Sequence, residues 1–103
     1  MVLSHRPRQK PDFRLEEIDG ELLLYHPTQT TIMYCNPSAS IIWQLSDGGR
    51  TIEEITVLLA AAFEQNLETI TADVESTLDS FCKHKAIEML DEQGQVVRLP
   101  GSG

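Results

Sequence analysis

Three short segments in the first half of the chain have the apolar patterns of β-strands. Residues 13–18 alternate weakly, residues 21–25 are nearly continuous in leucine, and residues 30–35 are rich in β-branched and aromatic side chains. Asp19 and Gly20, which separate the first two segments, favour a two-residue hairpin turn because both of its central residues need positive φ. The pattern predicts a three-stranded antiparallel meander whose third strand lies at an edge.

Three helices are predicted after these strands. Asn36 is expected to cap the first helix, with Pro37 at its first position, where a missing N–H costs nothing. The stretch 51–54 has the spacing of a capping box for the second helix, and Thr71 is expected to cap the third. The residues expected to face inward recur at helical spacing, and they are Ile41, Ile42 and Leu45, then Ile52, Ile55, Leu58, Leu59, Ala62 and Phe63, then Val74, Leu78 and Phe81.

The order of these elements defines the expected fold. The first two helices are joined by a short turn, and apolar residues at 86–90 and 96–99 flank a polar turn that predicts a C-terminal hairpin, or wing. We therefore expect an α+β fold, winged helix-turn-helix-like, with an N-terminal three-stranded antiparallel sheet followed by three helices. The 103 residues fit a single domain over 12–99, with a flexible basic tail at 1–11 and a flexible end at 100–103.

Charge restricts the partners that the domain can have. The chain carries a net charge of −8, and the predicted tail holds three of its basic residues, so the remainder has 5 basic and 16 acidic residues, a net charge of −11. Such a surface repels phosphate backbones, so nucleic acid is not expected as a partner. No apolar run approaches the roughly 20 residues that cross a bilayer, and two cysteines fit a reducing compartment. We expect a cytoplasmic protein that binds no membrane.

The spacing and setting of the candidate catalytic side chains do not favour catalysis. Cys82 and His84 are two residues apart on a helix, so their side chains point about 200° apart and cannot share a metal ion or a proton. The carboxylates near the first hairpin, between Glu16 and Glu21, flank an exposed turn rather than a sheltered pocket. The sequence therefore predicts no enzyme activity, no metal site and no cofactor.

The predicted third strand and third helix instead form a candidate peptide-binding groove. An edge strand offers unpaired N–H and C=O groups to a peptide that adds as a further strand, and residues 30–35 contain neither charge nor proline. A proline at Met33 is expected to remove one of these donors. That the same residues form only core remains an open alternative. The predicted site residues are Thr31, Ile32, Met33, Tyr34 and Cys35 on the strand, and Asp73, Val74, Thr77, Leu78, Phe81 and His84 on the helix.

Four groups of residues carry a resemblance to a known family: Leu24-Tyr25, Asn36 with Ser38-Ala39 and Ile42-Trp43, Asp47-Gly48 with Arg50-Thr51 and Glu54-Ile55, and Asp73-Val74 with Leu78 and Phe81. Through them about two thirds of the chain resembles the PqqD-like family, the recognition elements of ribosomally made, modified peptides. The resemblance implies a winged-helix domain without catalytic activity, which captures the leader of a precursor peptide along the third strand and presents it to a modifying enzyme. That enzyme would be a radical S-adenosylmethionine maturase, a leader peptidase or a cyclase.

Two departures from the family pattern and two rival hypotheses accompany this resemblance. Family members often have leucine at the position of Cys35, and many have glycine where this chain has Lys85. The main rival is a winged-helix DNA-binding transcriptional regulator, which should carry Lys and Arg on its recognition helix. The second helix has none. The other rival is self-association through the edge strand, so the expected state is a monomer or a weak dimer.

Overall fold

Six strands and three helices make up the part of the chain that the structure, a computed structural model, describes: residues 1–29 and 32–97. The helices are α1 (Pro37–Leu45), α2 (Ile52–Phe63) and α3 (Leu67–Lys83). The strands are β1 (Arg6–Gln9), β2 (Arg14–Ile18), β3 (Glu21–Tyr25), β4 (Ile32–Cys35), β5 (Ile87–Leu90) and β6 (Val96–Val97). The predicted α+β class, with a three-stranded antiparallel sheet followed by three helices, is confirmed.

The predicted meander forms the sheet β2-β3-β4. Asp19 and Gly20 both have positive φ, 53° and 81°, as a two-residue hairpin turn with right-handed strand twist requires. Leu15, Leu24 and Met33 lie side by side across the three strands and face the helices. Thr30 and Thr31, part of the predicted third strand, lie outside the described residues.

The expectation of a flexible tail at 1–11 is wrong for β1. This strand pairs antiparallel with β5 in a second sheet of order β1-β5-β6, and the Pro7 side chain is fully buried. The backbone of β1 and of the residues on either side of it, His5 and Lys10, is also bonded to the start of α2, to the α1–α2 turn and to the segment after α3. These hydrogen bonds run from Ile52 N to His5 O (2.9 Å), Gly48 N to Pro7 O (2.9 Å), Gln9 N to Ser46 O (2.9 Å) and Lys10 N to Ala86 O (2.9 Å).

The helix caps of α1 and α2 are confirmed, and that of α3 is corrected. Asn36 accepts a hydrogen bond from Ala39 N at 2.8 Å, and Thr51 forms the predicted capping box with Glu54. The N-cap of α3 is Asn66 rather than Thr71, so the helix begins more than a turn earlier than expected. Thr71 instead turns its hydroxyl back to the Leu67 carbonyl oxygen at 2.7 Å, an arrangement typical of threonine inside a helix.

The departure at Lys85 does not disturb the fold. Lys85 adopts a left-handed conformation with φ of 59°, the conformation that glycine most often supplies after a helix. The next residue, Ala86, donates its N–H to the Phe81 carbonyl oxygen at 2.8 Å and so closes the end of α3. The predicted hairpin follows as β5 and β6, although its residues after Val97 lie outside the described part.

The core lies between the meander, the three helices and β5. The predicted stripe on α3 is confirmed, since Val74, Leu78 and Phe81 are all buried. The predicted stripe on α2 is only partly correct, because Leu58, Ala62 and Phe63 are exposed. Thr56 is buried in their place, and its hydroxyl donates to the Ile52 carbonyl oxygen at 2.8 Å, so this polar side chain enters the core with its hydrogen bond satisfied.

Candidate functional site

The outer edge of β4 is open. β4 pairs with β3 on one side, and none of the described residues pairs with it on the other. Ile32 and Tyr34 are 60% and 75% exposed, whereas Met33 is buried and Cys35 is half-buried. Strand edges in proteins are usually protected by charge, proline or a covering element, and Ile32–Cys35 has neither charge nor proline.

The first hairpin determines which backbone groups of the meander face which neighbour. Its closing pair, Ile18 and Glu21, exchanges both backbone hydrogen bonds, as a two-residue turn of this type requires. Bonded and non-bonded pairs then alternate along antiparallel strands. Leu24 lies three pairs further on and is therefore a non-bonded partner of Leu15, so its N–H and C=O point toward β4.

On β4 the same alternation determines which backbone N–H groups face β3 and which face the open edge. Met33 is paired with Leu24, so Met33 and, two residues on, Cys35 bond to β3, while Ile32 and Tyr34 direct their N–H and C=O groups to the open edge. The expected role of Met33 as an edge donor is therefore wrong. Burial raises the pKa of the Cys35 thiol, and a hydrogen bond from the Leu24 backbone partly opposes this shift, consistent with a Leu24 N–H that points toward β4.

A cleft of about 220 Å³ separates β4 from α3. Small polar side chains dominate its α3 side. The residues that line it are Met33, Tyr34, Cys35, Asn36, Ala39, Ser76, Thr77, Ser80 and Phe81. A phenyl ring closes its floor: Phe81 packs edge-to-face against Trp43, with ring centroids 5.7 Å apart.

The structure brings together five of the predicted site residues in this cleft: Met33, Tyr34, Cys35, Thr77 and Phe81. The other described ones do not line it, for different reasons. Val74 and Leu78 are fully buried and belong to the core alone, and Ile32 projects from the outer face of the sheet. Asp73 and His84 are exposed one turn beyond each end of the cleft on the same α3 stripe, and Thr31 lies outside the described residues.

Sequence reasoning missed four lining residues. Ser76 and Ser80 flank Thr77 on one face of α3. The run of small polar residues beside the apolar stripe of α3 is the sequence feature that could have identified them. Asn36 and Ala39 were read only as the start of α1, although the same turn of chain forms the end wall of the cleft. Their place there depends on how β4 enters α1, which sequence spacing does not reveal.

The described residues can also be compared with what a metal site, a membrane-spanning helix or a nucleic-acid-binding surface requires. They contain no group of three or more His, Cys, Asp or Glu side chains placed to hold a metal ion. Neither do residues 1–29 and 32–97 include a helix with the length and apolar character to span a lipid bilayer. Helices α2 and α3 are acidic: from Thr51 to Cys82 there are seven acidic residues and no Lys, Arg or His, a composition that disfavours contact with a phosphate backbone.

An open strand edge beside a cleft in a winged-helix scaffold defines a domain able to accept a further strand. A family model for coenzyme PQQ synthesis protein D (PqqD) matches residues 21–87, about two thirds of the chain and all of the cleft. The chain belongs to the PqqD family. No curated protein sequence matches it.

A solved structure confirms the fold. "TbiB1 in Complex with the TbiA(beta) Leader Peptide" superimposes with a TM-score of 0.66 at 23% sequence identity. The match covers 79% of this chain and 94% of that chain. The similarity therefore reaches beyond the residues that the family model matches.

Proposed function

We propose that this domain captures the leader segment of a ribosomally made precursor peptide and presents the remainder to a modifying enzyme. The observation that carries the proposal is the open, uncharged edge of β4 beside the cleft against α3. Membership of the PqqD family supports it, as does the fold shared with TbiB1, whose structure contains a leader peptide. In this role the domain binds and makes no bond itself.

Strand addition explains how one cleft recognises a peptide. The leader backbone bonds to the N–H and C=O groups of Ile32 and Tyr34, which face the open edge. Alternate leader side chains then point into the cleft, where they meet Met33, Cys35 and Phe81. The intervening side chains lie on the outer face beside the exposed side chains of Ile32 and Tyr34. Backbone bonds supply affinity, and the limited volume of the cleft selects side chains.

For the modifying enzyme, capture of the leader raises the effective concentration of the attached core peptide. A leader held on the domain reaches the enzyme together with its attached core, so that the second encounter becomes nearly intramolecular. The enzyme itself is a radical S-adenosylmethionine maturase, a leader peptidase or a cyclase in this proposal. Cys35 and Cys82 are both free thiols, which suits the reducing cytoplasm as the place where the three components meet.

The test compares two substitutions at Tyr34, with fluorescently labelled synthetic leader peptides from short open reading frames near the gene of this chain as the probe. Tyr34→Pro removes both the side chain and an outward N–H, whereas Tyr34→Ala removes the side chain alone. Proline is tolerated at this position of an edge strand because the lost donor does not bond to β3. We expect Tyr34→Pro to bind at least about tenfold more weakly than Tyr34→Ala, since it loses a backbone hydrogen bond and obstructs the incoming strand.

Circular dichroism and a urea melt establish that both variants fold. Equal leader affinities in two folded variants would contradict strand addition on β4. Failure of the wild-type domain to bind the leader at all would contradict the proposed function itself.

A further inference from the structure

A second surface, on the side of the domain away from the cleft, has an apolar centre and an acidic rim. It consists of Leu3, Glu53, Glu54, Val57, Leu58 and Leu67, and we call it the α2 patch. Val57, Leu58 and Leu67 are 52%, 47% and 53% exposed, although α2 was expected to bury Leu58. Two depressions of about 410 and 90 Å³ adjoin each other there and share Glu53 and Val57.

The α2 patch is part of the rigid scaffold. The Glu53 N–H donates to the Leu3 carbonyl oxygen at 3.1 Å, which holds the N-terminal segment against the first turn of α2. The capping box of Thr51 and Glu54 stabilises the same turn, and the hydrogen bond between its two residues lowers the pKa of the Glu54 carboxyl. The apolar side chains are therefore presented in a fixed arrangement by two helices and a bonded segment.

Charge identifies the kind of partner. The α2 patch itself carries two carboxylates, Glu53 and Glu54, and the charge of Arg50, at its edge, is paired with Asp47 at 2.8 Å. Two copies of this surface would repel each other, as would nucleic acid or an anionic membrane. A protein surface with exposed apolar side chains surrounded by Lys and Arg would complement both the apolar centre and the acidic rim of the α2 patch.

The position of the α2 patch relative to the cleft also limits which partner can bind there. Thr71 lies beside the α2 patch and Ser80 lines the cleft, and both are on α3. Nine residues separate them, which places them about 180° apart around the helix and about 13 Å apart along it. A partner on the α2 patch therefore leaves the cleft free for a leader. The patch also offers no strand edge, so it does not suit the leader itself.

The geometry points to the α2 patch as the docking surface for the peptide-modifying enzyme, which would contribute an apolar protrusion ringed by basic residues. This inference rests on the proposed function, because it assigns the second partner of the same domain. With the leader in the cleft and the enzyme on the α2 patch, the domain holds substrate and catalyst on opposite sides of α3. The precursor then bends around the domain to reach the active site.

The experiment uses the full chain and, as recombinant protein, a radical S-adenosylmethionine enzyme, leader peptidase or cyclase found among the genes near its own. Val57→Ser and Val96→Ser form a matched pair, since both remove an exposed valine, 52% and 56% accessible, and only Val57 belongs to the α2 patch. Biolayer interferometry at low and high salt measures enzyme affinity, and fluorescence anisotropy measures leader affinity on the same preparations. Leu67→Ser, on α3, provides a second variant if Val57→Ser does not fold.

We expect Val57→Ser and Leu67→Ser to weaken enzyme binding about tenfold and Val96→Ser to leave it unchanged, with leader affinity equal in all of them. Enzyme affinity should also fall as salt rises. Absence of enzyme binding by the wild-type domain overturns the inference, as does equal enzyme binding by the wild type and the patch variants. Loss of leader binding by the wild type would instead contradict the proposed function, so the two failures are distinguishable.

Discussion

The Gln9 side chain donates a hydrogen bond from Nε2 to the backbone carbonyl oxygen of Trp43 at 2.7 Å. This contact joins β1 to the last turn of α1, directly behind the indole ring that supports Phe81 at the floor of the cleft. The Gln9 backbone N–H bonds to Ser46 in the same place. The N-terminal strand is therefore part of the structure that holds α1 and α3 at the correct separation.

The first prediction concerns this strand. Deletion of residues 1–10 should lower the free energy of unfolding by about 4 kcal/mol, because it removes several backbone hydrogen bonds worth about 1 kcal/mol each and uncovers the apolar surface beneath Pro7. Urea denaturation measures the change. Arg8→Ala is the control: it breaks the exposed ion pair with Glu88 and should cost less than about 1 kcal/mol. A truncated chain as stable as the Arg8→Ala variant would show that β1 contributes nothing to the fold.

The second prediction concerns the cleft wall. Thr77→Trp adds an indole ring to a cleft of about 220 Å³ and should reduce leader affinity at least about tenfold, because the added ring competes for the space of a leader side chain. Ala72→Trp adds the same ring to an exposed position of α3 about 140° away and should leave affinity unchanged. Isothermal titration with the leader peptide compares the two. Tight binding by a folded Thr77→Trp variant would place the leader outside this cleft.

The parts of the fold that the sequence predicted well are specified by neighbouring residues. Asp19-Gly20 sets the hairpin and its register. The side chains of Asn36 and Thr51 cap their helices by accepting hydrogen bonds from backbone N–H groups three residues later in the chain. β1 has no such local signal. Pro7 is the only apolar residue among its four, and the strand exists because Arg6–Gln9 pairs with a segment 80 residues later in the chain.

The start of α3 and the shape of the cleft are two further features that the sequence alone did not predict. Asn66 and Thr71 are both acceptable caps, and the choice of Asn66 follows from burial of Ile70 against the core. On β4 the open edge was predictable because it depends on strand order and composition. The shape of the cleft was not, because the packing of α1 and α3 decides that Thr77 lines it while Leu78, the next residue, is fully buried.

The third prediction uses the two free thiols as reporters of leader binding. Cys35 lines the cleft, whereas Cys82 does not, so it serves as an internal control. Burial raises the pKa of both thiols, so iodoacetamide should modify each of them more slowly than a free cysteine. With leader at about ten times its Kd, about nine tenths of the domain is occupied. Modification of Cys35 should then fall to about one tenth of its unliganded rate, with Cys82 unchanged, as followed by mass spectrometry. Equal rates at Cys35 with and without leader would contradict occupation of the cleft.

The fourth prediction concerns stability at alkaline pH. Burial, reinforced by the nearby Asp79 carboxylate and opposed by Lys10, raises the pKa of Cys82 to about 11 from its ordinary 9.0. The folded domain thus holds this proton more tightly than the unfolded chain does. The resulting stabilisation is fully present below pH 9, declines as the pH rises from 9 toward 11, and is absent above that range.

Cys82→Ala isolates this contribution, because every other titratable group is shared with the wild type. Urea denaturation of both proteins at intervals from pH 7 to 11 gives the difference in unfolding free energy at each pH. We expect that difference to be constant below pH 9 and to shift in favour of Cys82→Ala above it, because only the wild type must either keep a proton or bury a thiolate. A difference that stays constant to pH 11 would show that the Cys82 thiol has the same proton affinity in the folded and unfolded chains.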